Sequence, residues 1–177
     1  MKKIIALLFI AFSVVSCAEN KTASSVENSS ETAQQEIDKT LNNWHRSAAK
    51  ADFEAYFSTL TEDAIYIGTD ATENWDIAEF KGFAKPYFEK GKAWDFTAVE
   101  RNIFLSKNGQ IAWFDELLKT WMGLCRGSGV LVKQDGKWKI KHYVLSVTVP
   151  NDRIEETVRM KSDFDKNYLK KIPIGKK

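Results

Sequence analysis

The chain has 177 residues, of which 44% are hydrophobic, and this is enough for the core of one domain with an appendage. The formal net charge is only +2, and acidic and basic residues are interspersed along the sequence. Because no basic stripe is present, the composition argues against nucleic acid as a partner. The two cysteines do not make a disulfide framework.

The first 16 residues have the pattern of a signal peptide. A short basic region precedes an apolar run over residues 4–15, which is shorter than the roughly 20 apolar residues of a membrane-spanning helix. The run ends in the letters VVSC at residues 14–17, which resemble a bacterial lipobox. The resemblance implies cleavage after Ser16 and acylation of Cys17, so residues 1–16 are predicted to be a lipoprotein signal peptide. The alternative is a plain secretory signal in which Cys17 has no role.

A lipidated cysteine and a flexible tether are predicted over residues 17–33. The stretch after Cys17 is polar, is rich in Ser, Glu, Asn and Thr, and has no apolar period. We therefore expect a lipid-anchored membrane protein of the bacterial cell envelope, whose folded part faces the periplasm or the exterior.

The folded domain is predicted over residues 34–150, and it begins with helices. Apolar residues at helical spacing predict a first helix over residues 34–50, with an inward stripe formed by Ile37, Leu41, Trp44 and Ala48. Asp52 is expected to cap a second, shorter helix. A third helix is predicted over about residues 76–90, and Pro86 inside it is expected to end or bend it.

Strands account for the rest of the domain. The pattern predicts a short strand at residues 65–67 and a longer one at residues 94–106. Three long antiparallel strands are predicted over residues 111–149, with turns near Met122-Gly123 and at Asp135-Gly136. The second turn has the stronger signal, because Asp-Gly tolerates the positive φ angles of a tight hairpin.

The last of these strands is predicted to form one wall of a cavity. The period of two places on its inner face Trp138, Ile140, His142, Val144 and Ser146. The outer face then includes Tyr143, Leu145 and Val147. Apolar bulk mixed with an imidazole and a hydroxyl is typical of a small-molecule cavity, although a sheet packed on a helix has the same pattern.

The order of the elements indicates the fold class. Helices come first and a run of antiparallel strands follows, which predicts an α+β domain with helices packed on one face of a bent sheet. After Pro150 the chain returns to a helical period, so residues 151–177 are predicted to be a C-terminal helix with a solvated basic tail.

Five short pieces of sequence carry a resemblance to a known family. They are residues 60–64 (LTEDA), 68–73 (GTDATE), 112–116 (AWFDE), 126–131 (RGSGVL) and 136–142 (GKWKIKH). With the order of elements, they resemble the nuclear-transport-factor-2-like fold and most closely its SnoaL-like family, over roughly residues 34–150. The resemblance implies a cone, a curved antiparallel sheet packed on N-terminal helices. It does not imply one function, because the family holds isomerases, cyclases, dehydratases and binding domains. Relatives often carry a second His two residues after the first, and here that position is Val144.

Three side chains form the candidate catalytic set: Asp115, Arg126 and His142. A carboxylate inside an apolar pocket would have a raised pKa and could act as a general base. Either Asp115 or Glu116 would have this position, because adjacent strand residues point to opposite faces. Arg126 and His142 would polarise the developing oxyanion. The alternatives are an ion pair between Asp115 and Arg126 and a core position for His142.

Six side chains are candidates for ligand binding at the cavity: Asp70, Trp75, Tyr87, Trp94, Trp113 and Glu116. The alternative for the aromatic residues is ordinary core, and the alternative for Asp70 is an Asx-type turn. Gly127 and Gly129 are expected to allow a bulge that bends the sheet, and the alternative is that they leave space on one face.

The remaining residues predict no cofactor and no metal site. With two His and one further Cys, a zinc site would need carboxylates from scattered strands. No glycine-rich phosphate loop follows a strand. Cys125 is interpreted as inert core, and His45 as a surface residue of a helix.

Three functions remain open from the sequence. We place first the binding of a small, mostly apolar molecule in the cavity of an envelope-anchored domain. The second is a cofactor-free isomerase, dehydratase or hydrolase that uses the pocket carboxylate with the His and Arg named above. The third is an interaction module in which the outer face of the last strand forms a homodimer.

Overall fold

The structure is a computed structural model that describes residues 20–172, with side chains described from Glu31 onward. The helices are α1 (Asn20–Ala49), α2 (Phe53–Ser58), α3 (Ile77–Glu89) and α4 (Ile154–Leu169), with a 3-10 turn over Asn151–Arg153 before α4. The strands are β1 (Leu60–Ile67), β2 (Asn74–Asp76), β3 (Thr97–Leu105), β4 (Ile111–Thr120), β5 (Gly123–Gln134) and β6 (Lys137–Val147). The predicted signal peptide and Cys17 lie outside the described residues. Within residues 20–172, no helix has the length and apolar character needed to cross a membrane.

Six strands form one curved, unclosed sheet in the order β2-β1-β6-β5-β4-β3, against which the N-terminal helices pack. This confirms the predicted α+β class. All neighbouring strands are antiparallel except β1 and β6, which pair in parallel with Ile65 opposite His142. The sheet is therefore mixed, whereas the sequence predicts an antiparallel one. The pattern within a strand does not reveal this pairing, because no hairpin joins β1 to β6.

Helix α1 begins earlier than predicted. It starts at Asn20, inside the segment predicted to be a flexible tether, and residues 20–49 contain no Gly or Pro that would interrupt it. The inward stripe is as predicted, with at most 1% exposure at Ile37, Leu41, Trp44 and Ala48. The predicted cap of α2 is also confirmed, because the Asp52 side chain accepts a hydrogen bond from the Ala55 N–H at 3.0 Å.

Helix α3 positions several side chains that matter below. It begins with a capping box, in which Asp76 accepts hydrogen bonds from the first turn and the Glu79 side chain accepts one from the Asp76 N–H. The helix continues through Pro86 to Glu89, so the proline does not end it. Proline removes only one backbone hydrogen bond here, and the buried Phe88 ring anchors the last turn in the core.

A β-bulge reverses the predicted faces of β6 in its second half. The register of β6 against β5 shifts between Ile140 and His142, which leaves Lys141 as the extra residue. Before the bulge the faces are as predicted, with Ile140 fully buried. After it, Tyr143 and Leu145 point inward and are only 1% and 4% exposed. The prediction that His142 lies in the inner wall is therefore wrong, and so is the outer position of Tyr143 and Leu145.

Helix α4 makes few contacts with the rest of the domain, and none of its residues is buried. The Tyr168 hydroxyl donates a hydrogen bond to the Ala71 carbonyl oxygen at 2.8 Å. Ala71 belongs to the loop between β1 and β2. The end of α4 is therefore attached to this loop, which also borders the cavity described next.

Candidate functional site

A cavity of about 210 Å³ opens between helix α3, the loop from β1 to β2 and the turn from β4 to β5. Its wall is mostly aromatic and includes Tyr66, Trp75, Phe80, Phe83, Tyr87 and Trp94. We call this space the aromatic cavity. An apolar hollow with few polar groups is typical of a small-molecule site.

Helix α3 supplies three of these rings because it spaces aromatic residues by three and four positions. Phe80 is 1% exposed and stacks on Tyr66, with ring centroids 4.0 Å apart. Phe83 and Tyr87 lie at the cavity and remain 39% and 45% exposed. Trp75 in β2 stacks on Phe83 at 4.4 Å. The rings of α3 and β2 therefore form one continuous wall.

One carboxylate belongs to the cavity wall. Glu73 folds back over Gly68, where a Cβ atom would collide with the carboxylate, so a side chain at this position would displace Glu73. The Glu73 Oε2 atom accepts a hydrogen bond from the Asp70 N–H at 3.2 Å. Burial and then the negative charge of Glu73 raise the pKa of Tyr66, so its hydroxyl stays neutral in the wall.

A second carboxylate is buried behind the cavity wall. Glu116 on β4 is 0% exposed and accepts four hydrogen bonds. The donors are His45 Nε2 at 2.9 Å, the Tyr143 hydroxyl at 3.0 Å, and Arg101 Nε and Nη2 at 2.9 and 2.7 Å. His45 Nε2 must be a donor, because an ionised carboxylate only accepts. We call these four residues the Glu116 cluster, and Arg101 links it to Asp38 at 2.6 Å.

The surroundings of Glu116 favour its ionised form. Burial by itself would raise the pKa of this carboxyl, but the hydrogen bonds and charges of His45 and Arg101 outweigh burial and lower it. The four bonds also occupy the acceptor positions of the carboxylate. A general base at Glu116 with a raised pKa is therefore contradicted. No member of the cluster lines the aromatic cavity, and the wall residue Phe96 lies against His45 with ring centroids 6.2 Å apart.

Sequence reasoning missed three members of the Glu116 cluster. His45 was predicted to be on the surface but is 4% exposed, and its position four residues after Leu41 places it on the inward side of α1. This spacing of four residues was sufficient to predict that His45 is buried. Arg101 and Tyr143 follow bulges in β3 and β6, which shift the period of two and are not visible in the sequence pattern.

The predicted catalytic set does not meet at the cavity. Asp115 Oδ1 lies 3.4 Å from Arg126 Nη1, and the two side chains are 37% and 49% exposed on the outer face of the sheet. His142 is on the same face, opposite Val130. None of the three predicted residues lines the aromatic cavity. The observed arrangement is the alternative ion pair, so the enzyme hypothesis in this form has no catalytic residues at the cavity.

The predicted ligand-binding residues are divided between the cavity and other places. Those in the wall are Trp75, Tyr87 and Trp94. Trp113 instead lies on the outer face, 47% exposed and stacked on Phe104. Asp70 accepts hydrogen bonds from the Thr72 N–H and hydroxyl, which is the alternative Asx-type turn. In the described part of the chain, no group of three or more His, Cys, Asp and Glu side chains is arranged to hold a metal ion.

The domain that contains this cavity matches a known family. Residues 37–150 match the model of the SnoaL-like domain, and this match covers more than half of the chain. The chain belongs to the SnoaL-like domain family. This confirms the resemblance found in the sequence. No curated protein matches the sequence of this SnoaL-like protein.

Several solved structures share its fold. An NTF2-like protein of unknown function from Pseudomonas putida KT2440 has a TM-score of 0.59 and 12% identity, over 69% of this chain and 91% of that one. The association domain of C. elegans CaMKII has a TM-score of 0.57 and 20% identity, over 68% and 99%. A domain of unknown function with a cystatin-like fold from Nostoc punctiforme has a TM-score of 0.56 and 15% identity, over 78% and 98%. At these identities the likeness shows the fold alone.

Proposed function

We propose that this SnoaL-like protein binds a small, mostly apolar molecule in the aromatic cavity. The proposal depends on one observation: the rings of α3 and its neighbours surround about 210 Å³ of space that is partly open to solvent and is not filled by side chains. An engineered apolar cavity of about 150 Å³ takes up benzene, so this cavity has room for a molecule of one ring or similar size. Removing such a molecule from water is favourable by about 25 cal/mol per Å² of apolar surface.

Filling the cavity tests this proposal. Ala93 lies in the wall, whereas Ala78 is exposed on α3 outside it, so Ala93→Phe and Ala78→Phe add the same ring inside and outside the site. With fluorobenzene as the probe, ¹⁹F NMR should show line broadening by the unmodified protein and by Ala78→Phe, and none by Ala93→Phe. No broadening by the unmodified protein, or equal broadening by all three proteins, would contradict the proposal.

We also propose that the protein functions at the bacterial cell envelope through a lipid on Cys17. The support is the signal-peptide pattern followed by the lipobox-like residues 14–17. In cells expressing the full chain, Cys17→Ala should move the protein from the membrane fraction to the soluble fraction. Cys125→Ala is the matched control, because Cys125 is buried in the domain. A Cys17→Ala protein that stays with the membrane would argue against the anchor.

We further propose that two copies associate through the outer face of the sheet. Trp113 and Phe104 on this face are 47% and 46% exposed, and their rings stack at 5.9 Å. An exposed apolar patch of this kind is typical of a protein–protein contact, and a two-fold dimer would bring the same patch of both copies together. One protein that shares the fold is an association domain.

A further inference from the structure

The wall of the aromatic cavity has an unbalanced negative charge. Glu73 belongs to the wall, and no Lys, Arg or His side chain does. Within residues 31–172 no ion pair to Glu73 is present, and its carboxylate accepts a hydrogen bond from the Asp70 N–H. The outer face differs, because there Asp115 is paired with Arg126. A half-buried carboxylate without a cation creates a negative potential in the space beside it.

The aromatic rings next to Glu73 also favour a positively charged ligand. Trp75 lies between Phe80 and Phe83 in a near-parallel stack, with interplanar angles of 13° and 25°. Tyr87 lies next to Phe83, with ring centroids 5.4 Å apart and ring planes tilted by 42°. The face of an aromatic ring is negative and attracts an ammonium group within about 6 Å of the ring centroid. The partial exposure of Phe83 and Tyr87 leaves this aromatic surface open to a ligand.

We propose that the molecule bound in the aromatic cavity is a small organic cation, a quaternary ammonium or an alkylated amine. This inference rests on the proposed function, since it names the chemical class of the ligand for the same cavity. Methyl groups on nitrogen would fill the apolar space, while the positive charge would lie between Glu73 and the ring faces. A neutral ligand would desolvate Glu73 without giving it a partner, and an anion would be repelled.

Three probes of nearly the same shape separate charge from size. Choline is positive, 3,3-dimethylbutanol is its neutral carbon isostere, and 3,3-dimethylbutanoate is negative. Titration of the full chain followed by NMR should give an affinity for choline at least tenfold higher than for the alcohol, and no saturable binding of the carboxylate. Added salt should weaken choline binding and leave the alcohol unchanged, because only the charged probe is screened.

Neutralising the carboxylate tests the residue that the proposal names. Glu73→Gln keeps an oxygen that can accept the Asp70 N–H, so the loop is preserved while the charge is removed. The variant should lose about tenfold in choline affinity and keep its affinity for 3,3-dimethylbutanol. Asp70→Asn is the matched control, because it removes the same charge from the same loop outside the cavity wall. Retained broadening of fluorobenzene by Glu73→Gln would show that its cavity is intact.

The outcomes separate this inference from the proposed function. If fluorobenzene and 3,3-dimethylbutanol bind in the cavity but choline binds no more tightly than the alcohol, the cationic class is overturned and the binding function stands. If no probe binds, both proposals fail together. If Asp70→Asn weakens choline binding as much as Glu73→Gln does, the general negative charge of the loop is responsible and the assignment of Glu73 is overturned.

Discussion

Gly127 gives space to the hydrogen bond at the centre of the Glu116 cluster. A Cβ atom at this position would collide with the Tyr143 hydroxyl and would lie 3.0 Å from Glu116 side-chain atoms. Gly127 is paired with Glu116 on β4 and with Leu145 on β6, so its missing side chain is inside the domain. Bending of the sheet was the first predicted role of this glycine, whereas the observed contact is the alternative, space on one face, here for a buried polar group.

Gly127→Ala should therefore destabilise the domain by about 1–3 kcal/mol, the usual cost of overpacking a core. The same substitution should cost less in a Tyr143→Phe background, because the hydroxyl that the methyl group meets is absent. Urea unfolding of the four proteins measures this coupling. Gly82→Ala is the control, since a Cβ there meets nothing within 4 Å in a helix. Equal costs in both backgrounds would contradict the assigned collision.

The lowered pKa of Glu116 links the stability of the domain to pH. Burial opposes ionisation, but His45 and Arg101 hold the pKa of this carboxyl below its usual value of 4.5. The unfolded chain therefore binds the proton first as the solution is acidified. The stabilisation is complete above about pH 4.5 and is lost as the pH falls through the pKa of the folded protein.

Glu116→Gln should reduce the free energy of unfolding at neutral pH by about 3–5 kcal/mol, because the buried Arg101 loses its buried charge partner and keeps only the half-exposed Asp38. The loss should become smaller below pH 4.5. Urea unfolding at several pH values gives both quantities. Asp115→Asn, the adjacent carboxylate on the outer face, should cost at most about 1 kcal/mol. A Glu116→Gln effect that does not change between neutral and acidic solution would disprove the linkage.

At the scale of elements, the sequence predicted what depends on local pattern. The stripe of α1, the cap of α2 and the Asp135-Gly136 hairpin follow from spacing and turn chemistry, and the structure has each of them. The predicted faces of β6 were wrong beyond Ile140. The bulge there depends on pairing with β5, and the sequence of β6 alone does not reveal it. Of the three tryptophans predicted at the cavity, Trp75 and Trp94 line it, whereas Trp113 and the predicted polar residues do not. No pattern in the sequence distinguished Glu73 from an acidic residue of a solvent-exposed loop, so its place in the cavity wall could not be predicted.

Helix α4 and the loop from β1 to β2 are joined by one hydrogen bond, from the Tyr168 hydroxyl to the Ala71 oxygen. Tyr168→Phe should remove it while keeping the ring stack on Phe164. One such bond is worth about 1 kcal/mol, so the loop amides, including the Gly68 N–H, should exchange with solvent about fivefold faster. Hydrogen exchange measures this, with Met160→Ala as the control because that side chain is 80% exposed on α4. Unchanged exchange would show that α4 does not restrain the loop.

At the scale of the whole molecule, the outer face of the sheet carries both the ion pair and the exposed rings. The sequence predicted a homodimer through this face but assigned Tyr143 and Leu145 to it, and both are buried inside. The exposed rings on the face are instead Phe104 and Trp113. This shift follows from the β6 bulge, which exchanges the two faces of that strand alone.

Trp113→Glu should therefore lower the mass of the protein measured by light scattering from that of a dimer to that of a monomer. A charge placed at the centre of an apolar contact would be buried without a partner. Met160→Glu adds the same charge at an exposed apolar residue of α4, away from the sheet, and should leave the mass unchanged. The same mass for Trp113→Glu and the unmodified protein would reject this interface.

The position of β6 between β1 and β5 determines when the chain can fold during synthesis. As residues emerge from a ribosome, β1 first finds only the three-residue β2 as a neighbour, and its parallel partner arrives last of the six strands. Such distant pairing slows folding, because the entropy cost of closing a long loop precedes the favourable contacts between the two strands. A chain that ends before Lys137 would expose two unpaired strand edges, which are templates for aggregation.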